Sequence, residues 1–173
     1  MKLGIVALVL VGYTAFAIQR VMPRLPERIP TSFNSHGHPT AWSSPESLWI
    51  MLAVQAAVTA LILAIPALGR RAPQLVNLGW KRLSDYPPAT RERIMPLLED
   101  MCGWMAVLFS LFFALLIREL IRTALNPGES PARWPIAFLL AGMGVITVYY
   151  LRQFSRVGKQ ASAEGTRPGS VRR

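Results

Sequence analysis

The feature that most constrains this chain is the separation of its charges from its apolar residues. Apart from Lys2, every charged side chain falls within 20–46, 70–100, 118–133 or 152–173, and the runs between carry no charge. An ionised side chain at mid-bilayer costs roughly 2.5–3.5 kcal/mol even on a lenient insertion scale, so a bilayer imposes this pattern. The chain is 52% hydrophobic and 16% charged, against about 25% charged for an ordinary soluble domain. In lipid a helix satisfies its own backbone polar groups. The predicted fold class is therefore an all-α integral membrane protein with four transmembrane helices and a structured extracytoplasmic loop.

The first run, Leu3 to Ile18, is short for a spanning helix, which needs about 20 residues. Lys2 and Arg20 extend it, because long basic side chains snorkel to the headgroups. The run also fits a cleavable signal peptide, with Ala15-Phe16-Ala17 as a small-residue cleavage motif. Bulky Tyr13 and Phe16 beside that motif, and the three spans that follow, favour an uncleaved anchor. The second run, Leu48 to Leu68, has Ser47 as its N-cap and closes at Gly69-Arg70-Arg71. Ala56, Ala60 and Ala64 form a small-residue stripe predicted to pack against another helix, as are Gln55 and Thr59.

A polar region follows, and Tyr86-Pro87-Pro88 then opens a new helix. Its amphipathic start, with Ile94, Leu97, Leu98 and Met101, is predicted to lie at the interface and bend at Pro96 into the third span. Cys102 is the single cysteine, which excludes an intrachain disulfide and a thiolate metal cage; a buried, inert thiol is expected. Glu119 and Arg122 share a helix face and are expected to pair. Asn126-Pro127-Gly128 marks a turn before the fourth run, Trp134 to Leu151. Residues 1–154 thus form one membrane domain, with spans at about 3–20, 48–68, 101–121 and 134–152. The basic stretch 155–173 is predicted to be a disordered tail.

Orientation follows from the basic residues. Of the nineteen Lys and Arg, thirteen fall on the side of Lys2, 70–93 and 152–173, and six on the side of Arg20, Arg24, Arg28, Arg118, Arg122 and Arg133. The excess belongs in the cytoplasm, which places both termini inside and 20–46 outside. The net charge of +10 then serves topology and anionic lipid rather than nucleic acid. Trp42, Trp49, Trp80, Trp104 and Trp134 mostly sit near run ends, where indoles prefer the headgroup level.

The outer loop is the most informative segment. Prolines at 23, 26 and 30 hold the preceding residues extended, so an ordered loop is expected, with Phe33 and Trp42 as apolar residues in a water-facing stretch. The succession of Leu25, Pro26, Ile29, Pro30, Phe33, Asn34, Gly37 and Trp42 directly after a first span resembles the bacterial membrane family known as domain of unknown function 1648. That domain also occurs at the N-terminus of SdpI-type immunity proteins. Asn77 in Val76-Asn77-Leu78 loosely resembles the family's inner-loop motif. The resemblance implies a multi-pass protein of the bacterial inner (cell) membrane. It further implies toxin immunity or membrane signalling, with another membrane protein or a peptide toxin as partner. Two positions depart from the family pattern, which usually has His at Ser32 and Asp at Thr40.

Other chemistries find little support in the sequence. His36 and His38 flank Gly37, but two ligands are too few for a closed metal site, and an exposed turn is expected. Ser32 with His36 lacks an orienting carboxylate. No phosphate-binding glycine loop or His-x-x-x-His helix is present. A transport path would have few polar residues to use, chiefly Gln55, Thr59, Ser110 and Thr147. The expectation is a non-enzymatic protein without a cofactor, with the bilayer as one partner and no nucleic acid. A small transporter or a membrane enzyme using the outer loop is the alternative.

Overall fold

A computed structural model describes residues 2–34, 36, 38–78, 81–126, 129, 132 and 134–165, the side chains of 134–136 and 160–165 excepted. Four helices are long and apolar enough to cross a membrane: α1 (Lys2–Val21), α2 (Ser47–Arg71), α3 (Pro88–Leu125) and α4 (Trp134–Gly165). α3 is the centre of the bundle and packs against α1, α2 and α4, while α1 also meets α2. α3 comes close to α1 at Gly103. A Cβ there would lie 2.9 Å from Leu3 Cβ on α1, so only glycine admits the crossing, in keeping with small residues at helix contacts in lipid. Ala7, Thr14 and Ile18 are buried in the same seam, which makes α1 an integral part of the bundle.

The bundle carries a hydrophobic cluster at each end, and a connecting segment plugs each one. At one end Val76, Leu78, Leu83 and Tyr86 from the α2–α3 connection are buried with Ile94, Leu98, Cys102, Tyr150 and Phe154. The connection doubles back on itself, Leu83 N donating to Val76 O at 2.8 Å and Leu78 N to Lys81 O at 3.0 Å. At the other end Ile18, Leu48, Ile117, Leu120 and Ala124 surround Ile29 of the α1–α2 connection.

That second connection is a two-stranded antiparallel hairpin of β1 (Ile29–Phe33) and β2 (Pro39–Ser43). The register pairs Ile29 with Ser43, Pro30 with Trp42, Ser32 with Ala41 and Phe33 with Pro39. Thr31 on one strand and Thr40 on the other are each left over, so two bulges cancel and the hairpin closes in step. A lone two-stranded hairpin is marginal in water; this one is held because β1 packs onto α3.

The structure departs from the sequence-based expectations in two places, at α2 and α4. The buried face of α2 is Leu48, Gln55, Thr59, Pro66 and Gly69, whereas Ala60 and Ala64 are exposed. Two side-chain hydrogen-bonding groups in lipid need protein partners more than alanine needs a close neighbour. α3 runs from Pro88 to Leu125 with Pro96 inside it, so the amphipathic start and the span belong to one helix, as the sequence suggested. α4 runs on through Ser155 to Gly165, where a disordered tail was expected, because Phe154 is buried and Val157 packs beside it on the α2–α3 connection. Residues 166–173 lie outside the described residues, as do Pro127 and Gly128 of the expected turn, Trp80 and the side chain of Trp134. The Glu119–Arg122 pair forms as expected, at 2.8 Å. Arg122 also reaches Glu129 at 2.9 Å, and Glu119 Oε2 accepts from Ala132 N at 3.0 Å, which ties down the α3–α4 connection.

Candidate functional site: the hairpin end of the bundle

The loop residues singled out in the sequence divide by role. Leu25 and Phe33 are partly buried and Ile29 is fully buried, all in the cluster at this end. Four residues apart, they form three apolar anchors. Pro30 is buried and Pro26 exposed; each fixes its own φ and holds the residue before it extended. Asn34 organises the turn: its Oδ1 accepts from the backbone N–H groups of His36 and His38, both at 2.9 Å, and its own N–H donates to His38 O at 2.9 Å. An Asn side chain replacing a backbone acceptor in this way is a common turn device. Gly37 lies outside the described residues.

Trp42 differs from the rest of this set, being 55% exposed. The neighbours that share its strand, Pro39, Thr40 and Ala41, are exposed too. The expectation that Phe33 and Trp42 both face water is therefore half corrected. Phe33 is an anchor, and Trp42 belongs to an outward-facing strand held by that anchor. Asn77 sits at the opposite end of the bundle in an isolated bridge with Arg82, far in sequence and in space from the hairpin.

Ser32 and Thr40, the two positions that depart from the family pattern, meet across the hairpin, where Thr40 Oγ1 donates to Ser32 Oγ at 3.1 Å. A neutral hydroxyl pair thus joins the two strands at these positions. Thr31 and Ser43 add a second hydroxyl contact at 3.4 Å. Ser32 therefore bonds to a threonine rather than to a base.

Residues 5–56 match the family model of a domain of unknown function, DUF1648. The match takes in most of α1, the whole hairpin and α2 as far as Ala56, so the DUF1648 segment supplies the hairpin and two of the three helices that meet it. No curated protein and no solved structure matches the chain. What the DUF1648 segment leaves to the remainder of the chain is the surface beneath the hairpin, since Ile117, Leu120 and Ala124 come from α3.

A second group of polar residues lies within the spans. Thr14 of α1, Gln55 and Thr59 of α2 and Ser110 of α3 are all buried, at 2% exposure or less. Gln55 Nε2 donates to Ser110 O at 3.1 Å and, at the long limit of 3.5 Å, to Thr14 Oγ1. Thr59 and Ser110 hydroxyls bond at 3.0 Å, and Thr14 Oγ1 donates back to Leu10 O at 2.8 Å. Gln55, Thr59 and Ser110 were legible in the sequence as the polar residues of their spans. Thr14 carries no such signal in the sequence, since a lone threonine in an apolar run can bond its own backbone, as it does here to Leu10 O. Among the described residues, no three His, Cys, Asp or Glu side chains gather in a way that could hold a metal ion.

Proposed function

We propose that the protein is a non-enzymatic membrane protein that docks another membrane component or a peptide through β2 on the extracytoplasmic side. The toxin-immunity or signalling role that the DUF1648 resemblance implies is of this kind. The observation that carries the reading is the division within the hairpin: β1 buries Ile29 and Pro30 in the bundle end, while β2 is exposed, Trp42 with it. Tryptophan supplies large contact area with few rotatable bonds, which is why it is enriched where proteins bind. A transporter or enzyme is less well supported. The intramembrane polar residues close on one another as a hydrogen-bonded junction, and of the four only Thr14 also borders a cavity among those described, an otherwise largely apolar one between α1 and α3, which suits polar glue between helices.

The sidedness has a direct test. Reporters fused after Asn34 and after Glu129 are expected to read as extracytoplasmic, and one after Ser84 as cytoplasmic; a cytoplasmic signal at Asn34 would overturn the orientation.

The docking reading is tested by separating the two aromatics. Trp42→Ala is expected to leave membrane abundance unchanged and stability within about 0.5 kcal/mol, as for exposed positions. Phe33→Ala is expected to lose about 1–3 kcal/mol, because half-buried apolar area is lost. A photo-activatable amino acid at position 42 is expected to capture a discrete protein or peptide, while one at exposed Ala60 on α2 captures lipid. If position 42 captures lipid alone, β2 rests on the bilayer and the docking reading is wrong.

A further inference from the structure

At the end of the bundle away from the hairpin, a cavity of about 470 Å³ opens between the start of α1, the end of α2 and α3. Its lining has two characters. The floor is apolar and built from small or compact groups, among them Gly4, Pro66, Ala67 and Gly103. The rim carries two cations, Lys2 and Arg70, and two anions, Glu99 and Asp100. These four charges stand at the edges of uncharged runs, so they mark the level at which this end of the bundle leaves the hydrocarbon.

We propose that this cavity binds the headgroup of a zwitterionic phospholipid bearing a primary ammonium, a phosphatidylethanolamine. The argument is charge complementarity on an amphipathic site. Arg70 and Glu99 are ion-paired with each other, which closes one side of the rim and fixes one charge of each sign. Lys2 and Asp100 have no ion-pair partner among the described residues, so one cation and one anion remain for a ligand that carries both.

The phosphate is placed by Lys2, the rim cation without an ion-pair partner among the described residues. The ammonium is placed by Asp100, with Glu99 beside it. A choline headgroup offers no N–H to these carboxylates, and a glycerol headgroup offers no positive charge. The floor between Gly4 and Ala67 takes the glycerol backbone and the first methylenes, which a soluble headgroup would leave empty. An anionic lipid offers Lys2 the same phosphate but brings no cation to Asp100, whose carboxylate is left beside the lipid's negative charge.

The test uses the full-length protein in detergent, with lipid binding read by native mass spectrometry against phosphatidylethanolamine, phosphatidylcholine and phosphatidylglycerol of matched chains. Phosphatidylethanolamine is expected to bind at least about tenfold tighter than the other two, the effect of one charge-assisted hydrogen bond. Asp100→Asn, at an exposed position where folding is not at stake, is expected to erase that preference by weakening phosphatidylethanolamine alone. Lys2→Gln is expected to weaken all three lipids, since each has a phosphate. Ala67→Phe, which fills the floor without touching a charge, is expected to reduce binding of all three as well.

Glycerophosphoethanolamine, the headgroup without chains, is expected to fail as a competitor at millimolar concentration. If it displaces the lipid, the ligand is a soluble zwitterion and the lipid proposal falls. Equal or tighter binding of phosphatidylglycerol, or an Asp100→Asn variant with its preference intact, also overturns it.

Discussion

Phe154→Ala is expected to lower the unfolding free energy by about 3–5 kcal/mol, the range for emptying the site of a buried phenylalanine. Phe154 is 1% exposed and lies in the cluster with Leu83, Tyr86, Ile94, Leu98 and Tyr150. It therefore joins α4 both to α3 and to the connection that plugs this end. Just beyond it, a Cβ on Gly158 would lie 3.3 Å from the Tyr86 ring, so the helix continues against the same surface. The neighbouring Arg156 is exposed, and Arg156→Ala is expected to change stability by less than about 0.5 kcal/mol. Titration with a denaturing detergent, followed by circular dichroism, measures both. A Phe154→Ala variant as stable as the parent would mean that the extension of α4 is not packed, and that the disordered tail read from the sequence begins where it was expected.

The parts of the fold that were legible in the sequence are those the bilayer enforces. Uncharged runs had to be spans, because a charge within them is costly, and the structure has a helix in each. What escaped was packing outside the bilayer, where nothing forbids a polar residue and a few apolar ones decide. In the stretch that follows Leu151, Phe154 and Val157 are the large apolar residues that anchor the helix, too few to outweigh the Gly/Ser/Arg composition around them. Pro96 is the ninth residue of α3, where it removes one intrahelical hydrogen bond, and the helix continues on both sides of it.

The hairpin was foreseen as an ordered loop and not as two strands. Its signal is β-favouring residues, Thr31 and Phe33 on one side and Thr40 and Trp42 on the other, around the turn-forming stretch Asn34 to Pro39. Two bulges and prolines in both strands blur the alternation by which strands are usually found. The motif itself gave the candidate residues but not their division. Leu25, Ile29 and Phe33 read as apolar loop residues until α2 and α3 are seen to form the cavity they fill, and only then does Trp42 stand apart.

Gln55 offers the sharpest contrast between two substitutions. Gln55→Ala is expected to cost about 2–4 kcal/mol, since it both empties a fully buried site and removes the amide contacts across the bundle. Gln55→Leu keeps most of the volume, and three considerations set its sign. The lost hydrogen bonds are worth about 0.6 kcal/mol each on average in a membrane bundle, and at most about 1.7. Against that, Gln55 Oε1 is buried without a partner in this structure, a state that costs about 1–3 kcal/mol and that leucine removes. The substitution also orphans nothing new. Ser110 O lies inside α3 and keeps its helical bond, Thr14 Oγ1 still donates to Leu10 O, and Thr59 still pairs with Ser110. Gln55→Leu is therefore expected to fall within about 1 kcal/mol of the parent in the same detergent titration, far from Gln55→Ala. On that outcome the amide is not what stabilises the junction. Its contribution is to register, because a buried polar group rewards the one arrangement of α1, α2 and α3 in which its donor is met. Equal losses for the leucine and alanine variants would show instead that the hydrogen bonds, and not the filled volume, hold the three helices together.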